Sequence, residues 1–405
     1  MHIIFLNRFF HPDLSATSQM LSDLAFSLAK AGKRVDVIAS RQRYDVPNAL
    51  LPRQETLRGV RIHRIWTSRF GRAWLPGRMF DYLTFYTSAA WCLWRLANAD
   101  SVIVAKTDPP LISVMAAGIA RLRRAPLVNW LQDLFPEIAS ALRVRSMNGI
   151  LARCLRGLRN ASLRQAAMNV AVGERMATYL TGQRIPAARI AVIHNWADAD
   201  AVQPLPAAAN PLRATWGLSD RFVVGYSGNL GRAHDFGAVL QAAELLREQT
   251  RIVFLIIGDG YYKTWLEREA VRRRLENLAF KPYQPRERLA QSLGAADVHL
   301  ISLRPELEGF IVPSKFYGIA AAGRPMVFMG DAEGEIARLL AQEHGGSTVA
   351  PDNGRQLAKI IGELANNPDL GRQWGANARQ ALERHFSGQQ ALAAWRALLE
   401  GVASH

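Results

Sequence analysis

Short apolar segments rich in Val and Ile alternate along the chain with longer segments in which apolar residues recur at helical spacing. This alternation predicts parallel strands joined by helices, because parallel strands are buried on both faces and need a helical crossover. In the first half, strands are predicted at 3–6, 35–39, 60–65, 101–105, 127–130, 169–172 and 190–193. In the second half, they are predicted at 222–226, 252–257, 278–280, 298–302, 325–329 and 347–349.

The predicted elements fall into two sets, and 405 residues are enough for two domains with a core each. Residues 198–214, between the sets, are rich in Ala and Pro and lack periodicity, so we interpret them as a linker. The prediction is an α/β fold of two Rossmann-like doubly wound domains, residues 1–196 and 197–387, that face a central cleft. The helix at about 388–405 is a candidate to pack back on the first domain.

The cysteines, the amino terminus and the hydropathy of the chain indicate the cellular compartment. The two cysteines, Cys92 and Cys154, lie in apolar helical patterns, so neither a disulfide framework nor a thiolate metal site is expected and a reducing, cytoplasmic setting fits. The amino terminus lacks the basic start and cleavage site of a signal peptide, and we interpret it as a first strand. Asp81 and Arg95 interrupt the most hydrophobic segment, 79–97, so no membrane-spanning helix is predicted.

The formal net charge of +16 predicts an anionic partner or surface. Nucleic acid, anionic lipid and a nucleotide-diphosphate substrate all qualify. Nucleic acid is disfavoured, because the basic residues are scattered over helix faces and form no known RNA- or DNA-binding module.

Two segments of the first half combine arginine with apolar side chains. Residues 69–80 interleave Arg69, Arg72 and Arg78 with Phe70, Trp74, Leu75, Met79 and Phe80, which suits the headgroup boundary of an anionic membrane. The helix predicted at 150–164 has Ile150, Leu151, Cys154, Leu155 and Leu158 on one side and Arg153, Arg156, Arg159 and Arg164 on the other. For this helix alone, a core-facing stripe below a solvated basic face is favoured over membrane contact. Together the two segments predict peripheral attachment to the inner face of the cytoplasmic membrane.

The segment 306–328, ELEGFIVPSKFYGIAAAGRPMVF, combines a carboxylate, a turn, a lysine and a small-residue helix. Pro313 suits the first turn of a helix, because its φ is preset and its missing N–H is no loss there. Ser314 and Lys315 would then lie where free amides and the helix dipole favour an anion. The combination is typical of a site for a phosphorylated sugar, although the Ser-Lys pair alone also fits an ordinary αβ unit.

Two glycine turns in the second half each follow a predicted strand and open a helix: GYSGNLGRAHDF at 225–236 and IIGDGYY at 256–262. Glycine lets the backbone approach a phosphate at a helix start. Each turn alone is common, but three such features at the strand ends of one domain favour a nucleotide site. The candidate residues are Gly228, Asn229, Arg232, His234, Gly258, Asp259 and Gly260; for Arg232 and His234, a solvated loop position is nearly as well supported.

The first half has polar residues in two loops that follow strands. His11 and Asp13 come after the first strand, in a loop expected to face the cleft. Asp133 and Glu137 follow a later strand in NWLQDLFPEIA, where carboxylates are placed for acid or base chemistry. Asp133 could equally cap the helix that follows, and the two interpretations remain open.

The motifs as a set resemble family-4 glycosyltransferases of the GT-B fold. The resemblance rests on SGNLGR, IIGDG, AADVHLISL, EGF and AAAGRP in the second half, and on FFHPDLSATSQMLSDLAFSLAKAGKRVDVI in the first. The PSK variant at 313–315 resembles the bacterial branch that builds cell-surface polysaccharide such as exopolysaccharide or O-antigen, often on polyprenyl-diphosphate carriers. The motifs are specific for the family and not for the sugar.

The resemblance implies roles for residues of 308–318. Glu308, followed by Gly309 and Phe310, matches the first glutamate of the family's E-x7-E motif, which contacts donor-sugar hydroxyls. The second glutamate, which holds the ribose, falls on Gly318, and the arginine and lysine that grip the diphosphate correspond to Asn229 and His234. The diphosphate is therefore assigned to Lys315, to the amides near Ser314 after Pro313, and to Arg232.

The resemblance also implies a reaction. Family members retain anomeric configuration, so we expect a hexosyl- or N-acetylhexosaminyl-transferase that uses front-face displacement and a UDP-sugar as co-substrate, with a lipid-linked saccharide as acceptor. Lys315 would stabilise the leaving diphosphate, and His11 or Asp133 would orient the acceptor. No acidic pair at metal spacing is evident, so we expect neither a metal nor another cofactor. The alternatives are a UDP-sugar epimerase of GT-B-like fold and a non-catalytic, basic membrane adaptor.

Overall fold

The computed structural model describes residues 1–13, 15–43, 50–71, 75–144 and 149–404, with Leu75 described in its backbone only. The chain divides into two compact units, Met1–His194 with Ala391–His405, and Asn195–Gln390. Each unit is built around one sheet with helices packed against it.

The first unit contains an eight-stranded sheet. Its strands are β1 His2–Leu6, β2 Arg34–Ser40, β3 Gln54–Leu57, β4 Val60–Ile65, β5 Ser101–Ala105, β6 Leu127–Leu131, β7 Met168–Ala171 and β8 Ile190–Val192. Its helices are α1 Ala16–Lys30, α2 Leu75–Leu96, α3 Ile112–Arg123, α4 Glu137–Ala141, α5 Ile150–Gln165 and α6 Glu174–Gly182, with a 3₁₀ turn at Ala187–Arg189. The strand order is β3-β4-β2-β1-β5-β6-β7-β8, so the order reverses between β1 and β5.

One strand of this sheet departs from the prediction. β3 pairs antiparallel with β4 at the sheet edge, whereas the other strand pairs are parallel. The hydrophobic pattern missed β3 because its sequence, QETL, is polar and largely exposed, as edge strands often are.

The second unit contains a six-stranded parallel sheet. Its strands are β9 Phe222–Ser227, β10 Ile252–Ile257, β11 Leu278–Lys281, β12 Val298–Ser302, β13 Met326–Met329 and β14 Gly346–Val349. Its helices are α7 Pro211–Thr215, α8 Gly237–Leu245, α9 Lys263–Arg272, α10 Leu289–Gly294, α11 Lys315–Ala321, α12 Glu335–Glu343, α13 Gly354–Asn366 and α14 Pro368–His385, with 3₁₀ turns at Ala207–Ala209, Arg286–Arg288 and Pro305–Leu307. The order β11-β10-β9-β12-β13-β14 reverses between β9 and β12, which is the doubly wound arrangement.

The last helix, α15 Gly388–Ala403, packs on the first unit. The ring of Trp395 lies 4.6 Å from that of Trp130 in β6, measured between centroids. At the exposed end of this helix, Lys33 Nζ lies 2.7 Å from Glu400 Oε1. Two large buried indoles contribute most of this attachment, because the lysine and glutamate are both part-exposed.

The linker interpretation of residues 198–214 is wrong. The Arg379 guanidinium donates to the carbonyls of Val202 and Ala199 at 2.9 and 3.1 Å, and Arg324 donates to that of Leu205 at 2.6 Å. Asn210 caps α7. The segment therefore belongs to the second unit, and its backbone is held by arginines more than 100 residues away, which no local pattern reveals.

The favoured interpretation of the 150–164 helix is also wrong. In α5 the apolar residues Ile150, Leu151 and Leu158 are exposed, Ile150 to 71%, whereas Arg159 is buried. The side of α5 that faces the protein carries small and polar residues and Leu163. Arg159 can lie on this side because its guanidinium is 2.7 Å from the buried carboxylate of Glu137.

Three neighbouring helices form an outer layer of the first unit that carries exposed apolar side chains. Helix α3 lies between α2 and α5 and contacts both. The exposed apolar residues of the layer are Met79, Phe80, Leu83, Trp91 and Trp94 in α2, Leu122 in α3, and Ile150, Leu151 and Leu158 in α5. We call these residues the apolar layer. Arg72 and Trp74, which were predicted to belong to such a surface, lie outside the described residues, as does the side chain of Leu75.

The buried carboxylate of Asp36 links four strands of the first sheet. It accepts hydrogen bonds from His2 in β1 and His63 in β4, both at 2.7 Å, and from Arg61 in β4 at 2.5 Å, while His2 also bonds Ser101 in β5. Burial alone would raise the pKa of Asp36, but these bonds outweigh it and hold the pKa well below the usual range.

We predict that Asp36→Asn lowers the free energy of unfolding of the first unit by about 3 kcal/mol, because His2, His63 and Arg61 lose their buried carboxylate acceptor. Since the folded pKa of Asp36 is lowered, its contribution is present above about pH 4 and is lost as the pH falls below that value. Urea unfolding between pH 3 and pH 7 tests both points. The exposed Asp100→Asn serves as control. Equal stability of the two variants would contradict the prediction.

Candidate active site

Three loops meet at the carboxyl edge of the second sheet, where the strand order reverses. They follow β9, β10 and β12, and β9 pairs with both of the others. Backbone hydrogen bonds join the loops: Gly228 N to Ile257 O at 2.9 Å, Leu230 N to Asp259 O at 2.9 Å, and Arg304 N to Ala233 O at 2.9 Å. A doubly wound sheet opens a crevice at this point, which is where such folds bind ligands.

Glycine is required in the first two loops because their backbones touch. Gly258 has φ of +144°, and a Cβ there would lie 2.1 Å from the carbonyl oxygen of Gly228. Gly260 has φ of +146°, and a Cβ there would lie 2.5 Å from Asn229 Oδ1. These predicted site residues therefore shape the crevice by close backbone approach.

Lys315 reaches from α11 into the gap that Gly228 leaves. A Cβ on Gly228 would lie 2.7 Å from Lys315 Cε, so a side chain there would displace the lysine. Lys315 Nζ lies 3.3 Å from His234 Nε2, 3.5 Å from the carbonyl oxygen of Asn229, and 4.6 Å from the centroid of the Tyr226 ring. The side chain is half-buried, and burial lowers the pKa of Lys315 to about 7.

His234 is buried and directs an acceptor towards this lysine, so its interpretation as a solvated loop residue is wrong. Its Nδ1–H donates to the carbonyl of Ser302 at 2.6 Å, which leaves Nε2 as an acceptor. Burial, followed by the Lys315 charge, lowers the pKa of His234 to about 3. The imidazole is therefore neutral at pH 7 and can accept a hydrogen bond from the ammonium.

The other polar members of the glycine loops face solvent. Asn229, Arg232 and Asp259 are exposed. The guanidinium of Arg232 lies 5.2 Å from the centroid of the Tyr261 ring, and Asp259 Oδ1 accepts from the amide of Gly260 at 2.7 Å. Arg232 is therefore an exposed side chain beside Tyr261, and Asp259 stabilises its own turn.

Glu308 is held by a segment that the sequence motifs did not single out. Its Oε1 accepts from the amide of Glu335, at the start of α12, at 2.8 Å, and a Cβ on Gly334 would lie 2.6 Å from Oε2. Burial, with the nearby Glu335 and Asp331, raises the pKa of Glu308. The GDAEGE sequence at 330–335, a strand end followed by glycine and acids, is the signal that could have identified this support.

The turn that leads into α11 differs from the prediction. The helix starts at Lys315 with Ser314 as N-cap, so Pro313 precedes the helix and does not begin it. Gly309, at φ of +78°, and Phe310, whose amide donates to Leu307 O at 3.0 Å, form the bend before it. Since α11 has only seven residues, the Lys315 ammonium supplies more positive charge here than the helix dipole.

Arg304 is a further cation at this edge that sequence patterns missed. It follows β12, donates to the Tyr262 hydroxyl at 2.9 Å and lies 3.4 Å from the carbonyl of His234. Its contacts join the loops after β9, β10 and β12. The signal was weak, because one arginine after a strand is common.

In the first unit, Asp133 follows β6 and lies in a small pocket at the carboxyl edge of the sheet. Its side chain bonds Thr107, and the N-cap of α4 is Pro136, so the capping interpretation of Asp133 is wrong. Burial raises the pKa of Asp133 to about 6.

The other polar candidates of the first unit have different surroundings. The carbonyl of His11 accepts from Arg64 at 2.8 Å, and its ring lies 5.8 Å from that of Phe26. Glu137 receives both guanidinium NH groups of Arg159, at 3.1 and 2.7 Å, and the hydroxyl of Tyr179 at 2.7 Å. Glu137 therefore has a structural role and is not available for acid or base chemistry.

Comparison with known proteins agrees with this arrangement. Residues 16–196 match the model of the glycosyl transferase 4-like domain, and residues 211–381 match that of glycosyl transferases group 1. The chain is 26% identical to a probable glycosyltransferase, WbjE, of Pseudomonas aeruginosa. The alignment spans 294 residues, which is 72% of each protein. It is also 26% identical over 225 residues, 55% of each protein, to a putative colanic acid biosynthesis glycosyl transferase, WcaI, of Escherichia coli K12.

Solved structures share the fold at low sequence identity. HepE of Anabaena in complex with UDP has a TM-score of 0.74 at 17% identity, over 99% of this chain and 100% of that one. Sucrose-phosphate synthase of Thermosynechococcus elongatus has a TM-score of 0.79 at 16% identity, over 100% of both chains. The chain therefore belongs to the glycosyltransferases of the GT-B fold, with a glycosyl transferase 4-like domain followed by a group 1 domain.

Proposed function

We propose that the second unit binds a UDP-sugar and that the protein transfers the sugar, with retention of configuration, to a saccharide on a lipid carrier. The main support for this proposal is the position of the Lys315 ammonium. It lies where the strand order of the second sheet reverses, and its contacts are neutral groups. A half-buried cation that contacts a neutral imidazole, a carbonyl oxygen and an aromatic ring is suited to an anionic ligand such as a diphosphate.

The proposed chemistry places Lys315 at the leaving group. The bond from the anomeric carbon to the diphosphate oxygen breaks while the acceptor oxygen bonds to the same face of that carbon. The acceptor proton passes to the leaving diphosphate, whose developing charge Lys315 stabilises. His234 supports this role because it is neutral and accepts from the ammonium without cancelling its charge.

Glu308 is proposed to accept hydroxyl hydrogen bonds from the donor sugar. One of its oxygens is held by the amide of Glu335, which orients the carboxylate. The family glutamate that would hold the ribose is Gly318 in this chain, so the ribose contact must come from other groups. UDP as the nucleotide is supported by HepE, a relative in fold that was solved with UDP.

The acceptor is proposed to be carried by a lipid, as in surface-polysaccharide synthesis. WcaI, one of the relatives, is named for colanic acid biosynthesis. Among the described helices, none is both long and apolar enough to cross a membrane. Attachment is therefore proposed through the apolar layer, whose neighbours Arg78, Arg95, Arg121, Arg153 and Arg164 are exposed and complement anionic lipid headgroups.

We predict that Lys315→Met lowers kcat/KM for the UDP-sugar by about a hundredfold or more, because a preorganised charge on the leaving group is lost. The assay is UDP release from a panel of UDP-sugars with polyprenyl-linked acceptors.

For the wild type, kcat/KM should fall above about pH 7 as free Lys315 loses its proton, about tenfold per pH unit. Lys315→Arg is the matched control, because its charge persists and the alkaline decline should disappear. Turnover of no donor with any acceptor would refute the proposed function.

We predict that chelation leaves transfer unchanged, because Lys315 takes the charge-stabilising role that a divalent ion has in other phosphate-transfer sites. Transfer rates are compared in excess EDTA and in millimolar Mg²⁺ or Mn²⁺. A loss of more than about tenfold in EDTA that Mn²⁺ restores would contradict metal independence.

We predict that the double substitution Ile150→Ser with Leu151→Ser weakens binding to vesicles of anionic phospholipid by about tenfold or more, since two exposed apolar side chains no longer enter the interface. Sedimentation with vesicles of phosphatidylglycerol measures the effect. Val271→Ser, at a more exposed apolar residue in the second unit, is the control and should change nothing. Equal binding by all three proteins would exclude the apolar layer as the attachment surface.

A further inference from the structure

Arg8 is a buried arginine at the point where the strand order of the first sheet reverses. It follows β1, its amide donates to the carbonyl of Asp108 after β5 at 2.7 Å, and its carbonyl accepts from the amide of Ser40 at the end of β2 at 2.8 Å. Only 7% of Arg8 is exposed. Because a guanidinium stays charged in proteins, a full positive charge lies at the carboxyl edge of this sheet.

The partners of the Arg8 guanidinium are neutral groups. Nη2 donates to Gln42 Oε1 at 3.3 Å, and the guanidinium carbon lies 5.2 Å from the centroids of both the Phe9 and the Tyr82 rings. Among the described residues, Nε and Nη1 have no hydrogen-bond partner, and Nη1, unlike Nε, is not fully buried. Aromatic faces stabilise a cation, but they do not replace the hydrogen bonds to water that a buried guanidinium loses. Arg8 is therefore incompletely satisfied, as groups that meet a ligand often are.

A second arginine shares the Tyr82 ring with Arg8. The guanidinium carbon of Arg78, in the first turn of α2, lies 5.4 Å from the centroid of this ring, and Arg78 Nε donates to the Tyr82 hydroxyl at 2.9 Å. Arg78 is exposed, and its terminal nitrogens make no hydrogen bond to any described residue. Two like charges at one ring repel each other, and an anion bound beside the ring would relieve this repulsion.

The acids near these arginines do not pair with them. Asp81 is buried and accepts hydrogen bonds from the Ser68 hydroxyl at 2.6 Å and from both amides of residues 70–71 at 3.0 Å, so its oxygens hold the segment before α2. Asp108 contacts Arg8 through its backbone carbonyl. In the part of the chain that the structure describes, no carboxylate oxygen lies within 4.0 Å of a nitrogen of either guanidinium.

We propose that Arg8 and Arg78 bind the diphosphate that joins the acceptor saccharide to its lipid carrier. The inference rests on the proposed function, because it assumes a lipid-linked acceptor. Guanidinium groups suit this ligand, since each can donate two parallel N–H groups to phosphate oxygens. The Tyr82 hydroxyl accepts from Arg78 and keeps its own proton for a further bond to a phosphate oxygen. The diphosphate of the carrier would thus be held at the carboxyl edge of the first sheet.

Exposed apolar side chains lie beside the two arginines, where the lipid of the carrier would continue. Met79, Phe80 and Leu83 belong to the apolar layer and are each more than half exposed. The exposed ring of Phe70 lies 5.7 Å from that of Phe80, measured between centroids. Since Met79 and Phe80 directly follow Arg78 in the chain, a phosphate and an isoprenoid chain can be bound next to each other. This combination favours a lipid diphosphate over a free nucleotide diphosphate, which has no apolar chain.

The test measures binding of farnesyl diphosphate, a water-soluble isoprenyl diphosphate, by titration calorimetry. Saturating UDP is present, so that the proposed donor site is occupied. The wild type should bind this probe more tightly than farnesol, which lacks the phosphates, and than inorganic diphosphate, which lacks the apolar chain. Arg8→Gln and Arg78→Gln should each raise the Kd about tenfold or more, because a charge-assisted contact to phosphate is lost. An affinity that neither substitution changes would overturn the proposal.

A charge-matched control separates a specific site from general attraction to a basic protein. Arg184→Gln removes an exposed arginine that follows α6 in the same unit, so it changes the net charge equally and should leave the Kd unchanged. An equal loss of affinity in Arg184→Gln and Arg78→Gln would refute the site. If Arg8→Gln does not fold, Arg78→Gln decides the outcome, because Arg78 is exposed and its replacement leaves the core intact.

A soluble phospholipid distinguishes the carrier diphosphate from a phospholipid headgroup. Dihexanoyl phosphatidylglycerol, used below its micelle concentration, should bind at least about tenfold more weakly than farnesyl diphosphate, since it carries one phosphodiester charge. Equal affinity for both lipids, lost in the same variants, would overturn the assignment to the carrier. Failure of the proposed function would instead appear as a wild type that transfers no sugar, although farnesyl diphosphate still binds through Arg8 and Arg78.

Discussion

The second unit depends on the burial of one ammonium group among neutral, electron-rich partners. Lys315 can enter its gap only because Gly228 has no side chain, and Gly228 is in turn approached by Gly258, which has none either. The neutral imidazole of His234, the Asn229 carbonyl and the Tyr226 ring stabilise the charge without neutralising it. The loops after β9, β10 and β12 are therefore arranged around a cation that remains available to an anion.

The first unit satisfies its buried charges differently. Asp36 is surrounded by donors from β1 and β4, and Glu137 is paired with Arg159, so both charges are compensated within the protein. Lys106 and Asp133 line one pocket at the carboxyl edge of the sheet, and burial lowers the pKa of Lys106 and raises that of Asp133. Charged groups that are incompletely satisfied inside a protein are frequently those that meet a ligand.

Much of this architecture could be predicted from the sequence, because local patterns encode it. Apolar runs identified the buried parallel strands, and the glycine turns and Lys315 were recognised from residue types next to strand ends. Features that depend on distant partners could not be predicted. No local pattern shows that His234 accepts from Lys315, that Glu335 holds Glu308, or that arginines bind the backbone of 198–205. The exposed apolar side of α5 was misread for the same reason, since the pairing of Arg159 with Glu137 decides which side faces inward.

The central claim is that Lys315 binds the donor diphosphate, and proton uptake on UDP binding tests it most directly. Titration calorimetry at pH 8 in buffers of different ionisation enthalpy counts the protons taken up. Since burial holds the pKa of free Lys315 at about 7 and a bound diphosphate would raise it, the wild type should take up close to one proton per UDP, and Lys315→Arg should take up none. Binding of UDP without proton uptake, or with equal uptake in both proteins, would contradict the account.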